Sequence, residues 1–199
     1  MIAGADTYDM LGGMSPLELF QPLTDALAAA EATQIDGTKW RVSEAIAVAV
    51  RRAQFVKSIQ GRVFFIGNGA SASIASHMSA DWLKNGGFAA MCFSDPALLT
   101  CVSNDCGYDN SFALPLSRHG STADLLFAIS SSGQSANILE AVSVARKLSM
   151  MVVTLSGFMP DNPLRKLGNI NFWVPSEKYG NVETAHLAIC HAILDQIIE

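Results

Sequence analysis

Apolar and polar positions change their period twice along this chain. Leu17, Leu19, Phe20, Leu23 and Leu27 follow a helical spacing, and Asp36-Gly37 breaks it. Ser15-Pro16 supplies an N-cap followed by a proline at the first helical position. A second helix is expected over 40–58, with Val42, Ile46, Val50, Phe55 and Val56 as its apolar positions. Beyond residue 60 the texture becomes short apolar runs alternating with helical periods. Strands are expected at 62–66, 88–93, 125–129, 150–155 and 170–174. Helices are expected at 71–84, 97–102, 136–148 and 182–198, with a loop at 103–110. Apolar strands alternating with helices predict a parallel sheet covered on both faces. The expectation is one α/β domain over 1–199: a five-stranded parallel sheet in a three-layer sandwich over 61–199, with a helical arm over 1–60. Residues 1–15 show no period and read as a loose arm.

Composition narrows the partners. Of the 199 residues, 50% are hydrophobic and only 16% charged, so apolar surface is expected to be covered between subunits. A net charge of −5 without a Lys/Arg cluster argues against nucleic acid and anionic membranes. Cys92, Cys101, Cys106 and Cys190 form no C-x-x-C and read as reduced core cysteines. The start of the sequence has no leader pattern, and no uncharged apolar stretch reaches bilayer length. A cytoplasmic location is expected.

Two loops carry candidate chemistry. Ser130-Ser131-Ser132-Gly133-Gln134-Ser135 lies between an apolar strand and a helix. Helix-start N–H groups and hydroxyls together make an anion socket. No lysine accompanies them in a nucleoside-triphosphate pattern, so the socket suits a phosphate ester on a small molecule. The plainer alternative is a βα turn with a serine cap. The other loop, Gly67-Asn68-Gly69-Ala70-Ser71-Ala72, matches a relaxed dinucleotide fingerprint, with Asp95 near where a ribose-binding acid would lie. Asn68 and Ser71 would serve a sugar phosphate equally well. In a parallel sheet both loops sit on one rim, which favours a compact phosphorylated substrate.

On the helix after the first loop, His77 and Asp81 are one turn apart. On the last helix, Glu183 and His191 are eight apart and share a face to within about 80°. Two imidazoles and two carboxylates make a donor set suited to zinc or a similar ion, although a His/Asp pair at this spacing also serves as a surface hydrogen bond. His186 and Cys190 are expected to pack against a neighbouring subunit.

Taken in order, the Gly67–Ala72 loop, His77, Cys101-Val102-Ser103-Asn104-Asp105, the Ser130–Asn137 stretch and Val153-Thr154-Leu155-Ser156-Gly157 resemble the sugar isomerase (SIS) domain family, and within it the phosphoheptose isomerases. The resemblance covers nearly the whole chain. It implies a homotetramer with sites between subunits. It places phosphate on Ser130, Ser131, Ser132 and Ser135. Substrate contacts fall on Asn68, Gly69, Ala70, Ser71, Asn104 and Asp105, and zinc on His77, Asp81, Glu183 and His191. Two ligand positions depart from the family's pattern: Asp81 stands where it has Glu, the catalytic base, and Glu183 where it has Gln. The stretch Tyr179-Gly180-Asn181-Val182 also lacks the family's acidic residue and arginine. Asp is one methylene shorter than Glu, and a misplacement of about 1 Å costs on the order of a hundredfold in rate. Glu183 adds negative charge beside the ion and would hold it more tightly.

The implied reaction is aldose–ketose isomerisation of a phosphorylated sugar, sedoheptulose 7-phosphate to a heptose 7-phosphate, feeding heptose for surface polysaccharide. Asp81 would act as base and His191 as acid, with Glu183 also at the substrate. Two other classes stay open: a non-catalytic SIS protein, binding a phosphosugar or assembling with a replication initiator, and a nicotinamide enzyme using Gly67, Gly69, Ala72 and Asp95.

Overall fold

The computed structural model of the protein describes residues 13–199, so most of the arm expected over 1–15 lies outside the described residues. Helix α1 (Pro16–Ala28) starts where the serine–proline pair placed it. Ser15 Oγ accepts from the Glu18 N–H, and the Glu18 carboxylate accepts from the Ser15 N–H at 2.6 Å, a reciprocal cap. The helix stops at Ala28. A small hairpin succeeds it, β1 (Glu31–Gln34) and β2 (Lys39–Trp40), with Asp36-Gly37 in its turn. The Asp36 carboxylate accepts from the Thr38 N–H at 2.9 Å. β1 then pairs antiparallel with the last strand.

The remaining elements are α2 (Val42–Ser58), β3 (Arg62–Gly67), α3 (Ala70–Lys84), β4 (Ala89–Cys92), α4 (Pro96–Cys106), α5 (Ala113–His119), β5 (Leu125–Ser130), α6 (Ala136–Lys147), β6 (Met151–Gly157), β7 (Ile170–Val174) and α7 (Tyr179–Ile198). The sheet order is β2-β1-β7-β6-β5-β3-β4. The five strands β7, β6, β5, β3 and β4 are parallel as expected, but among the described residues the sheet has seven strands, not five. The two extra strands have four and two residues, too short for alternation to register against a helical background. The loop expected at 103–110 is also corrected: α4 runs to Cys106, and a 3₁₀ turn, Tyr108–Asn110, comes after it.

Successive residues of the central strands feed two cores. Val63, Phe65, Phe127 and Leu155 face α2, α3 and α7, where Phe65 stacks on Phe127 at 4.8 Å and Trp82 meets Phe127 edge-on at 5.3 Å. Phe64, Ile66, Leu126 and Ala128 face the other way, toward α5 and α6. His186 and Cys190 are fully buried in the first core, so they pack within their own protomer rather than against a neighbour. Burial pushes the Cys190 thiol up to about 12. Cys92 is half-buried and Cys101 and Cys106 are exposed, because α4 buries only Val102. All four cysteines are free. Among the described residues no helix is long and apolar enough to cross a membrane.

Chain direction creates the site. From β3 the chain moves outward to β4, then returns to β5 on the other side of β3. The carboxyl ends of β3 and β5 are therefore a switch point, where loops diverge and leave a crevice.

Candidate active site

A cleft of about 230 Å³ opens at that switch point. Asn68, Gly69, Ala70 and Ser71 form one wall; Ser130, Ser131, Ser132 and Ser135 form the other. Tyr179 and Glu183, from the start of α7, complete it. Both small-residue loops thus meet as the sequence required, together with two α7 side chains.

Local packing explains why these loops are built of small residues. A Cβ on Gly67 would lie 2.5 Å from the Ser71 backbone, so only glycine lets α3 fold back over the strand tip. Gly133 has φ +64° and lies against Asn162; a Cβ there would come within 2.9 Å of Asn162 Cβ and closer still to its amide. Asn162 is itself fixed. Its Nδ2 donates to the Met159 and Gly157 carbonyls at 2.8 and 3.2 Å, and its Oδ1 accepts from the Arg165 N–H at 3.1 Å. The serine loop is further tied by Gly157 N–H to Ser131 O and by Leu164 N–H to Gly133 O.

Three helices begin at this cleft, and none is capped by a side chain. The N-caps of α3, α6 and α7 are Gly69, Ser135 and Lys178, and none makes a side-chain capping bond. Ser135 Oγ instead lies 3.3 Å from Ser130 Oγ. Helix starts carry unsatisfied N–H groups and partial positive charge, so three converging on one crevice suit an anion. Ser131 Oγ is buried with no hydrogen-bond partner, an orphan that a ligand oxygen would satisfy. The plain serine-cap reading of the 130–135 loop is therefore replaced, since the serine at the cap position does not cap.

Two turns along α3, and three along α7, stand the other candidates. His77 Nε2 is 3.2 Å from His191 Nε2 and 3.3 Å from Asp81 Oδ2. All three donor atoms lie within 4.8 Å of one another. Metal bonds of about 2.0–2.1 Å in a tetrahedron separate neighbouring ligand atoms by about 3.3 Å. The two short separations match that edge, so this trio fits a zinc-like ion. Glu183 is not part of the trio. It stands about 12 Å further up α7 from His191 by helical rise, and among the described residues it is the one carboxylate lining the cleft. From Ser71 to His77 the rise along α3 is about 9 Å, so cleft and trio lie along the same two helices.

Asn104 and Asp105 sit at the end of α4, exposed, and do not line this cleft. Asn104 Nδ2 donates to Asp105 Oδ1 at 2.7 Å. Asp95 caps α4 by accepting from the Leu98 N–H at 2.9 Å, which commits the carboxylate that a nicotinamide ribose would need. Tyr108, from the 3₁₀ turn, donates to Asn68 Oδ1 at 2.9 Å and joins the rim. Neither Tyr179, which lines the cleft, nor Tyr108, which bonds Asn68, stands out in the sequence, because each reaches its place only through the path of the chain.

The model of the SIS domain family matches residues 33–157. The chain belongs to the SIS domain family. Within it, the chain is 34% identical over 145 residues to a phosphoheptose isomerase of Thiobacillus denitrificans, covering 69% of this chain and 74% of that protein. Among solved structures, a phosphoheptose isomerase from Francisella tularensis matches with a TM-score of 0.77 and 29% identity, over 96% of this chain and 97% of that one. The phosphoheptose isomerase of Neisseria gonorrhoeae matches with a TM-score of 0.77 and 27% identity, over 90% and 94% of the two chains. The serine loop and the first loop both lie within the matched SIS region, whereas α7, with Glu183 and His191, lies beyond it.

Proposed function

We propose that this SIS protein is a phosphosugar isomerase converting sedoheptulose 7-phosphate to a heptose 7-phosphate. One observation carries the reading: three uncapped helix starts and two serine- and glycine-rich loops converge on one cleft, and two of those helices also bring His77, Asp81 and His191 together. The relatives named phosphoheptose isomerases support it at the level of activity.

Ser130, Ser131, Ser132 and Ser135 would hold the phosphate, aided by the α6 start. Asn68, Gly69, Ala70 and Ser71 would contact the sugar. His77, Asp81 and His191 would hold a divalent ion, zinc by the chemistry of the donors, with Glu183 about two turns up α7 from His191, at the cleft. When bound, the ion supplies Lewis-acid polarisation of a sugar oxygen. Isomerisation moves a proton between adjacent carbons through an ene-diol, which needs a base and an acid. Asp81 would take the proton from one carbon and deliver it to its neighbour, while His191 would give a proton to the carbonyl oxygen and take one from the adjacent hydroxyl. Glu183 places a negative charge in a cleft shaped for an anion, and a cation beside it would offset that repulsion.

The assembly is proposed as a homotetramer of single-domain chains in the cytoplasm, making heptose for surface polysaccharide. Leu17 and Phe20 on α1 are 81% and 63% exposed, and Leu83 and Ile198 are exposed too, apolar surface of the kind subunits cover. Asn104 and Asp105, exposed away from their own cleft, are available to a neighbouring subunit. The test is turnover of sedoheptulose 7-phosphate by the purified chain with added zinc. Conversion to an aldoheptose phosphate supports the reading; binding without conversion at any metal loading leaves a phosphosugar-binding SIS protein instead.

A further inference from the structure

Asn137 has no part in the mechanism above, yet only 1% of it is exposed, and it lies in the first turn of α6, two residues beyond Ser135. Its Oδ1 accepts from Asn68 Nδ2 at 2.9 Å, and its Nδ2 donates back to Asn68 Oδ1 at 3.0 Å. The same Nδ2 donates to the buried Ser111 Oγ at 3.1 Å. Two amides thus face each other in a closed pair, anchored from behind. Asn68 belongs to the first loop and Asn137 to the helix that the serine loop opens.

This pair matters because of what else ties the loops. The β3–β5 ladder ends at Gly67 and Ile129. Beyond it, the serine loop is bonded to Gly157 and Leu164, on the side away from the first loop. Among the described residues, the Asn68–Asn137 pair is the hydrogen-bonded link between the two loops. Asn137 is buried and Asn68 half-buried, and Asn68 Oδ1 also accepts from the Tyr108 hydroxyl at 2.9 Å, so turning either amide breaks several of these bonds at once.

We infer that Asn137 is a positioning residue: it clasps the two ligand loops together and fixes Asn68 against the phosphate socket. A ligand spanning both loops meets donors already in place, while one that touches only the serine loop gains nothing from the clasp. The inference rests on the proposed sugar-phosphate reading, and its test separates the two.

Affinities for sedoheptulose 7-phosphate and for inorganic phosphate are measured by titration calorimetry on the metal-loaded wild type, Asn137→Ala and the similarly branched, uncharged Asn137→Leu. Loss of the clasp weakens the sugar phosphate by about tenfold and inorganic phosphate by less than about twofold, the first being the value of one to two hydrogen bonds of lost preorganisation. In an Asn68→Ala background the same substitutions have no further effect on the sugar phosphate, because the residue acts through Asn68. Asn137→Leu keeps the branched shape of the buried side chain without a charge or a hydrogen bond, so it reports even if the alanine variant does not fold. Equal weakening of both ligands, no weakening of either, or an undiminished effect without Asn68 overturns the clasp. A wild type that binds the sugar phosphate no more tightly than inorganic phosphate overturns the isomerase reading itself, and the clasp falls with it.

Discussion

Replacing Gly133 by alanine tests whether the serine loop is held from behind as the packing requires. Gly133 sits at φ +64°, where an L side chain costs about 1–2 kcal/mol. The added Cβ would also enter the space of the Asn162 amide, and ordinary contact begins only at 3.4 Å, so something must move by more than about 1 Å. Asn162 is 2% exposed and bonded to Gly157, Met159 and Arg165. Moving it forfeits bonds worth about 1 kcal/mol each. Moving the loop instead displaces Ser131 and Ser132 relative to the start of α6. The expected result is a loss of about 3 kcal/mol in stability, by urea denaturation, if Asn162 yields. If the loop yields, kcat/KM falls by about a hundredfold with a smaller loss of stability. Both measurements are made on the metal-loaded protein. A Gly133→Ala variant within about 0.5 kcal/mol of wild type in stability and unchanged in kcat/KM would refute the buttressing argument, since neither route would have been taken.

The same geometry sets other outcomes. Zinc at a hundredfold excess over its Kd should stabilise the wild type by about 2.7 kcal/mol, read as a rise in melting temperature, and His77→Ala or His191→Ala should abolish the rise; an equal rise in those variants would remove the trio as a metal site. Asp81→Asn should lower kcat by about 10²–10⁴ while leaving inorganic phosphate affinity unchanged, and full activity would exclude Asp81 as the base. Burial pushes the His186 imidazole down to about 4, the Ser156 carbonyl at 3.0 Å offsetting part of the effect. Between about pH 4 and 6.5 the unfolded chain therefore binds the proton that the folded chain refuses. The stability involved is intact above about pH 6.5 and is lost as the pH falls toward 4, on the order of 3 kcal/mol across the window. Denaturant melts at pH 7 and 5 should show this slope in the wild type and a shallower one in His186→Gln; parallel slopes would contradict it.

The amino-acid sequence by itself determined the parallel core and both loops that line the cleft. Five apolar runs of strand length, most of them followed by a turn and a helical period, leave few other architectures, because periodicity and turn chemistry are local properties. His77 and Asp81 were legible for the same reason: one helical turn puts them side by side. The tertiary structure alone decided the rest. The hairpin at 31–40 is a strand pair only because β7 offers an open edge to pair with, and nothing in Glu31-Ala32-Thr33-Gln34 announces it. Asn137 and Asn162 read as ordinary polar residues until the chain folds back and buries each beside a loop far from it in sequence or packed against it in space. His191 meets His77 across 114 positions, and Glu183 turns to the cleft between the two loops instead, because the placement of α7 beside α3 sets which turn of one helix faces which turn of the other. Helical period specifies a face; only packing specifies the height at which two faces meet.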